Sequence, residues 1–499
     1  MKNILKKILV GLLVLAVIFV GLHFFARYKV GKLLDGIDKE NFSYKEYSIN
    51  LFQGNLSVKD ISYRPKKQNL QAKTVSIRNF NYLSYLVLGD SIVVDEIQIE
   101  KPNLRLSKKN DSSVNGKKSN KFSEKIRINA LAITNGRLSY RRDSIKRFKV
   151  PKINLKIKNI KTGPDQIKQK IPFQYGDYFL EADSLNFVAN AYQDLSVARV
   201  EISEEEVLLQ DLRFLPTKNR KDYVNYIPYE KDLMNLKLDS IHIPSYKFSY
   251  KEEAPHFSAG LLSLSAIDFS IYRDKTVKDD LRKKDMYSTM IRKLPIQLKI
   301  DSVALNKAEI TYEEKIKKDR NPGKVNFKNL NAKIYNITNL DLDRKDFPTT
   351  KVQINTSFFG KSPIEMNWQF KVNDTTGRFR FRGNVQNVPP SSMNEFFIPA
   401  MNVKAKGSMQ AVYYDFEGNR NTARGKTKLV YDDFDLAVLK GDSRSESDIL
   451  SFLANIIVNK SPKNGSITSQ VESVKRDKTK SFWNYFWSCL EAGIKKSLL

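Results

Sequence analysis

This sequence is poor in the residues that reactive chemistry most often uses. Its 499 residues hold one cysteine, Cys489, and three histidines, His23, His242 and His256. A single cysteine excludes an intrachain disulfide and a thiolate cluster for zinc, and three scattered histidines leave no His-rich metal site. The signatures G-x-S-x-G, H-E-x-x-H and G-x-G-x-x-G and the P-loop are all absent, so no familiar catalytic or nucleotide site is legible. The acidic trio Asp432, Asp433 and Asp435 reads as a solvated strand end, and Glu204, Glu205 and Glu206 as an exposed charge run. No catalytic residue, metal or cofactor is expected, and the chain reads as a non-enzyme.

Acidic residues are also scarce. Lys and Arg number 85 against 55 Asp and Glu, a formal charge of +30. Such an excess favours anionic partners: lipid headgroups, glycolipids or nucleic acid. Arg378, Arg380 and Arg382 alternate with Phe379 and Phe381, which sends cations and rings to opposite faces of a strand. A single-strand nucleic-acid platform needs both on one surface, so nucleic acid is not expected as a partner.

The chain does contain one long apolar run. Ile8 to Phe25, ILVGLLVLAVIFVGLHFF, is about 18 residues, or roughly 27 Å as a helix, close to the apolar thickness of a bilayer. Lys2, Lys6 and Lys7 precede it, and Arg27, Lys29 and Lys32 follow. A cleavable signal peptide is the competing reading, but its core is about 7–15 residues and ends at a small-x-small site, which FFARYKV lacks. Residues 1–32, with Ile8, Leu12, Leu15, Phe19 and Phe24, are therefore expected to be a membrane anchor, with the rest of the chain on one side.

Past the anchor, period-2 alternation recurs as one phrase. It reads VDEIQIEKPNLRLSKK from Val94, INALAITNGRLSYRRD from Ile128, LDSIHIPSYKFSYKEE from Leu238 and IDSVALNKAEITYEEK from Ile300. Each copy is apolar-x-x-apolar-x-apolar, two residues, a turn-type or small residue (Pro102, Gly136, Ala308, with Tyr246 the misfit), then x-apolar-x-apolar. We read the phrase as a β-hairpin-like unit with one apolar face. That face carries Ile97, Ile99, Leu104 and Leu106; Leu131, Ile133 and Leu138; Ile241, Ile243 and Phe248; and Val303, Leu305 and Ile310. INLFQGNLSV, from Ile49, is a shorter echo with Gly54 at the turn.

Further strands are expected at 150–160, 257–272, 324–340, 351–359, 364–372, 377–385, 403–416 and 424–436. Helical stretches are expected before three of the phrases: up to Gly89, over 220–234 and over 278–292. The fold class is mainly β with minor α: a long curled antiparallel sheet or groove over 33–440, with a polar loop near 107–125, and a helical tail over 441–499. In the tail Trp483, Trp487, Leu490 and Ile494 step by helical spacing, with Lys495 and Lys496 near the end. This amphipathic helix either docks on the β body or lies on a membrane surface.

The phrase LVLGDSIVVDEIQIEKPNLRL, directly downstream of an N-terminal anchor, resembles the AsmA-like proteins of the repeating β-groove group of the Gram-negative envelope. The resemblance is clearest over 1–110, recurs at 238–253 and 300–315, and includes the Trp-rich basic tail. It implies a single-pass inner-membrane protein with a periplasmic β-groove. It further implies a role in phospholipid movement or outer-membrane homeostasis, with a phospholipid or other anionic envelope lipid as partner. The alternatives are an ordinary closed β core and a non-transporting scaffold or assembly factor with an envelope protein partner.

Overall fold

The computed structural model describes residues 34, 40–50, 52–64, 68–81, 91–108, 125–142, 145–251, 254–439 and 465–498. The anchor residues Ile8, Leu12, Leu15, Phe19 and Phe24 and the helix expected before Gly89 lie outside them. Among the described residues no helix is long and apolar enough to cross a membrane. The described chain is mainly β, with one large mixed sheet and few short helices. It divides into two compact units, residues 1–188 with 197–204, and residues 189–196 with 205–499.

Unit one contains β1 (Phe42–Ser43), β2 (Glu46–Asn50), β3 (Asn55–Tyr63), β4 (Gln68–Phe80), β5 (Ser91–Glu100), β6 (Asn103–Lys108), β7 (Lys125–Arg142), β8 (Ile145–Thr162) and β9 (Tyr178–Val188). Strand β10 spans Gln193–Ser203. The short echo is a true hairpin: β2 pairs with β3 from Glu46–Lys59 to Asn50–Asn55, beside Gly54 at φ +62°.

The long phrase is not a hairpin. β5 and β6 both pair with β4 on one side and with β7 on the other, so the first copy is one strand line interrupted at Lys101. Copies two and four are single strands. The residue before each turn-type position is left-handed: Lys101, Asn135, Ser245 and Lys307, at φ between 49° and 54°. An extra residue in that conformation makes a bulge and returns the next side chain to the face it would otherwise leave. The first x-x gap of the phrase works similarly. Asn79 and Asn159, both at positive φ, stand level with Asp95 and Asn129. The Asp95 carboxylate accepts from Asn79 Nδ2 at 3.1 Å and from Asn129 Nδ2 at 2.9 Å. In β7 the exposed positions change parity accordingly, from Arg127 and Asn129 to Thr134, then to Asn135 and Arg137. Ile97, Ile99, Leu104 and Leu106 therefore share a face although strict alternation would separate them.

The sheet is not wholly antiparallel. β5 and β6 run parallel to β7. Parallel neighbours need a crossover of a dozen or more residues, and the polar segment 109–124 supplies that length.

Unit two holds β11 (Glu206–Pro216), β12 (Asp232–Pro244), β13 (Tyr246–Lys251), β14 (Ala254–Asp274), β15 (Gln297–Lys315), β16 (Gly323–Thr338), β17 (Thr350–Phe358), β18 (Ser362–Phe370), β19 (Phe379–Val388), β20 (Val403–Gly418), β21 (Thr422–Val438) and β22 (Ile467–Lys475). Its helices are α1 (Arg220–Tyr223), α2 (Tyr287–Arg292), α3 (Pro390–Met401) and α4 (Phe482–Leu498). β14 and β15 are parallel, joined across 275–296; each consecutive pair from β15 to β22 is antiparallel. The strands expected from 150–160 onward are all present. The helix expected over 220–234 shrinks to α1 and a 3-10 turn before β12 begins at Asp232, and that over 278–292 shrinks to α2. The tail over 441–499 is not purely helical, because β22 precedes α4 and pairs with β21.

The core sits where α2, α3 and α4 cover the sheet. Trp368, Phe370, Phe379, Phe381, Tyr414 and Phe416 pack against Phe482, Tyr485 and Cys489 of α4. Met393 of α3 joins Leu429, Tyr431, Phe434 and Leu498 in a second cluster. Gly493 lets α4 approach closely: a Cβ there would stand 2.4 Å from the Thr427 side chain.

Candidate functional site

Cross-strand register assembles the phrase residues into rows. In unit one, Val75, Ile99, Ile133, Leu155 and Leu180 form one row over β4, β5, β7, β8 and β9. Ile77, Ile97, Leu131, Ile157 and Tyr178 form the next. Leu70, Leu104 and Leu138 form a third beyond the bulge. All of the expected phrase residues in this unit, namely Ile97, Ile99, Leu104, Leu106, Leu131, Ile133 and Leu138, lie in such rows and are half-buried. Neighbours along the sheet cover the flanks of each side chain, and the named helical element among the described residues of unit one is a 3-10 turn over Gln166–Lys168. Charged and amide side chains occupy the opposite face, where Arg78 pairs with Glu96 at 3.0 Å and Lys152 with Asp183 at 2.8 Å.

Unit two carries a longer row. Val207, Ile243, Leu262, Val303, Ile334, Val352, Trp368, Phe381 and Phe416 lie side by side by register or alternation from it. Its cover is graded. Phe381 and Phe416 are fully buried beneath α4, whereas Val207, Ile243 and Leu262 are half-buried. Ile241, Leu305 and Ile310 pack around a small cluster of Leu238, Ile267, Ala308, Leu330 and Ala332. Phe248 is 44% exposed beside Phe257. Val303 alone among the phrase candidates is buried, at 7%, between Leu262 and Ile334. It is a core residue, not an accessible one.

The tail helix sits on the sheet. Leu490 is buried and Ile494 packs against the second cluster, while Trp483 and Trp487 remain 43% and 41% exposed. The buried stripe is Phe482, Tyr485, Cys489, Gly493 and Ser497, one step around the helix from the stripe expected through Trp483 and Trp487. Small residues with low hydropathy concealed it. Phe482 stacks on Trp368 with centroids 4.6 Å apart, and Trp483 Nε1 donates to the Tyr287 hydroxyl at 3.1 Å. Lys495 pairs with Glu491 at 2.7 Å, and Lys496 is exposed. The docked alternative thus describes Leu490 and Ile494.

Cys489 is fully buried, and desolvation pushes its thiol up to about 12. At pH 8 the thiolate is then only about one part in 10⁴. The native chain is expected to resist iodoacetamide and to take up one label once denatured. Stoichiometric labelling of the native chain would mean that α4 does not hold this seat.

Arg380 forms a two-point pair with Asp415, at 2.8 and 2.6 Å, on the face opposite Phe379 and Phe381, so the expected separation of cations and rings holds. Among the described residues no group of His, Cys, Asp and Glu is arranged to hold a metal ion. Searches of protein families and of curated proteins find no match to this chain.

Proposed function

We propose that this chain is a membrane-anchored lipid-binding protein of the cell envelope, in which acyl chains lie against the apolar face of the sheet. One observation carries the reading: in unit one that face runs over five successive strands with the side chains of its main rows half-buried, although Val58 and Val150 level with them are buried, and without an α-helix upon it among the described residues. An apolar face of that breadth that the described residues leave uncovered is unfavourable in water and marks an interaction surface. Acyl chains suit it because transfer of each CH₂ out of water is worth about 0.8 kcal/mol, so two chains of ~16 carbons carry on the order of 20 kcal/mol that a solvated lipid lacks. The resemblance to AsmA-like proteins supports an inner-membrane anchor, a periplasmic body and a role in lipid movement. We assign no catalytic residue and no cofactor.

The covered end of unit two favours a second reading, a non-transporting scaffold, since there the sheet is an ordinary closed core. Purification of the full chain in mild detergent separates the two. Phospholipid at or above stoichiometry by mass spectrometry, together with lipid adducts from photo-crosslinkers at Ile99 and Leu106, is the expected result. A folded chain that yields neither, with a reproducible protein partner instead, would overturn lipid binding.

A further inference from the structure

The positive charge of unit one is not spread evenly. Along the body of the sheet, cations face acids: Lys59 with Glu46, Arg78 with Glu96, Lys152 with Asp183 and Lys158 with Asp177, at 2.8–3.1 Å. At one end of the strands this pairing stops. By register Asn69, Arg105, Ser139, Lys149 and Asn186 form a polar row with no acid in it. Arg137 lies in the row before and Arg141 in the row after. Arg64 follows β3 beside them, its Nε donating to Ser62 Oγ at 2.9 Å. Arg64, Arg105, Arg137, Arg141 and Lys149 are all exposed, and none has an ion pair among the described residues.

The opposite face of the same end is aromatic. Leu106, Tyr140, Phe148 and Phe187 form its last apolar row, and Phe187 is 40% exposed. Cations on one side and partly exposed rings on the other is the composition that bilayer interfaces select, since rings settle at headgroup depth and cations meet anionic headgroups. The chain also enters the sheet here. Phe42 pairs with Tyr63, and Arg64 N donates to Asn41 O at 2.8 Å. The apolar stretch Ile8–Phe25 therefore precedes the strand that begins at this end.

We propose that this end of unit one docks onto an anionic lipid headgroup layer, that of the bilayer holding the N-terminal segment. The inference rests on the anchored reading above, and it is independent of acyl-chain binding along the sheet. Docking would stand the strands on the membrane and bring the last apolar row, Leu106, Tyr140, Phe148 and Phe187, to the lipid surface.

The test uses the full chain with Ser139→Cys carrying a fluorophore, Cys489 staying unlabelled because it is buried. The protein is reconstituted into vesicles of phosphatidylcholine, alone or with phosphatidylglycerol, that bear a headgroup nitroxide quencher. Strong quenching is expected in the anionic vesicles. It is expected to be lost in about 1 M salt, where the screening length falls to about 3 Å, and in R105E/R141E/K149E. A label at Lys161→Cys, at the far end of the strands, is expected to stay bright. Equal quenching in neutral and anionic vesicles, or none at position 139 in either, overturns the proposal. The salt comparison retains these three cations, so it decides the matter even where the triple variant misfolds. A chain that binds no acyl chains still gives this quenching, which keeps the two readings distinguishable.

Discussion

Phe381→Ala is expected to destabilise unit two by about 3–5 kcal/mol, the range for deleting a buried aromatic ring from a packed core. Phe381 is fully buried, with its ring centroid 4.6 Å from Phe486 of α4, 5.6 Å from Phe416 and 5.8 Å from Phe379. Sheet and helix both grip it, so neither can collapse into the vacated space without moving the other. Domains are typically stable by only about 5–15 kcal/mol, so a loss of this size is a large fraction of the total. The chain's three tryptophans, Trp368, Trp483 and Trp487, all lie in this covered region, which makes their fluorescence a local reporter. A urea titration should show the midpoint falling with the slope unchanged. A shift worth less than about 1 kcal/mol would mean that α4 is not seated over β18–β20 and that the graded cover is wrong.

The phrase was legible as a pattern before it was understood as a shape. Its apolar spacing locates the residues of the apolar face, because those positions are fixed by burial. Its two irregular steps resembled turns, because Pro102 and Gly136 are turn-type residues. The conformation is actually carried by the residue before each, and Lys101, Ser245 and Lys307 are not types that announce a left-handed backbone. Hence the spacing alone reads a bulged strand as a hairpin. The parallel pairs were hidden for a similar reason: strand direction depends on what the intervening segment does, and 109–124 and 275–296 carry little periodic signal. The α4 stripe was misplaced by one step because Cys489, Gly493 and Ser497 pack by being small, whereas Trp483 and Trp487 stand out by size and stay partly in water. Cover over β17–β22 is not legible in the sequence, since alternation alone does not say which of two apolar surfaces finds a helix.

The open part of the face calls for the opposite experiment. Leu104→Asp with Leu131→Asp is expected to lower co-purifying phospholipid at least about 10-fold, equivalent to ~1.4 kcal/mol. Leu104 lies between Leu70 and Leu138, and Leu131 between Ile97 and Ile157, so each carboxylate interrupts a row that an acyl chain would follow. Placing an ionised carboxylate against hydrocarbon is costly unless it is paired, and no cation neighbours either position along its row. The same side chains are half-buried and lie in unit one, so the Trp-reported transition of unit two should stay within about 0.5 kcal/mol, as for substitutions remote from a core. Phe381→Ala is expected to do the reverse, lowering stability while leaving lipid content per folded molecule unchanged. The two variants thus divide one continuous pattern of alternation into a part that serves as a core and a part that serves as a surface. Undiminished lipid on a folded Leu104→Asp, Leu131→Asp chain would place the lipid elsewhere and leave the exposed rows without the role assigned to them.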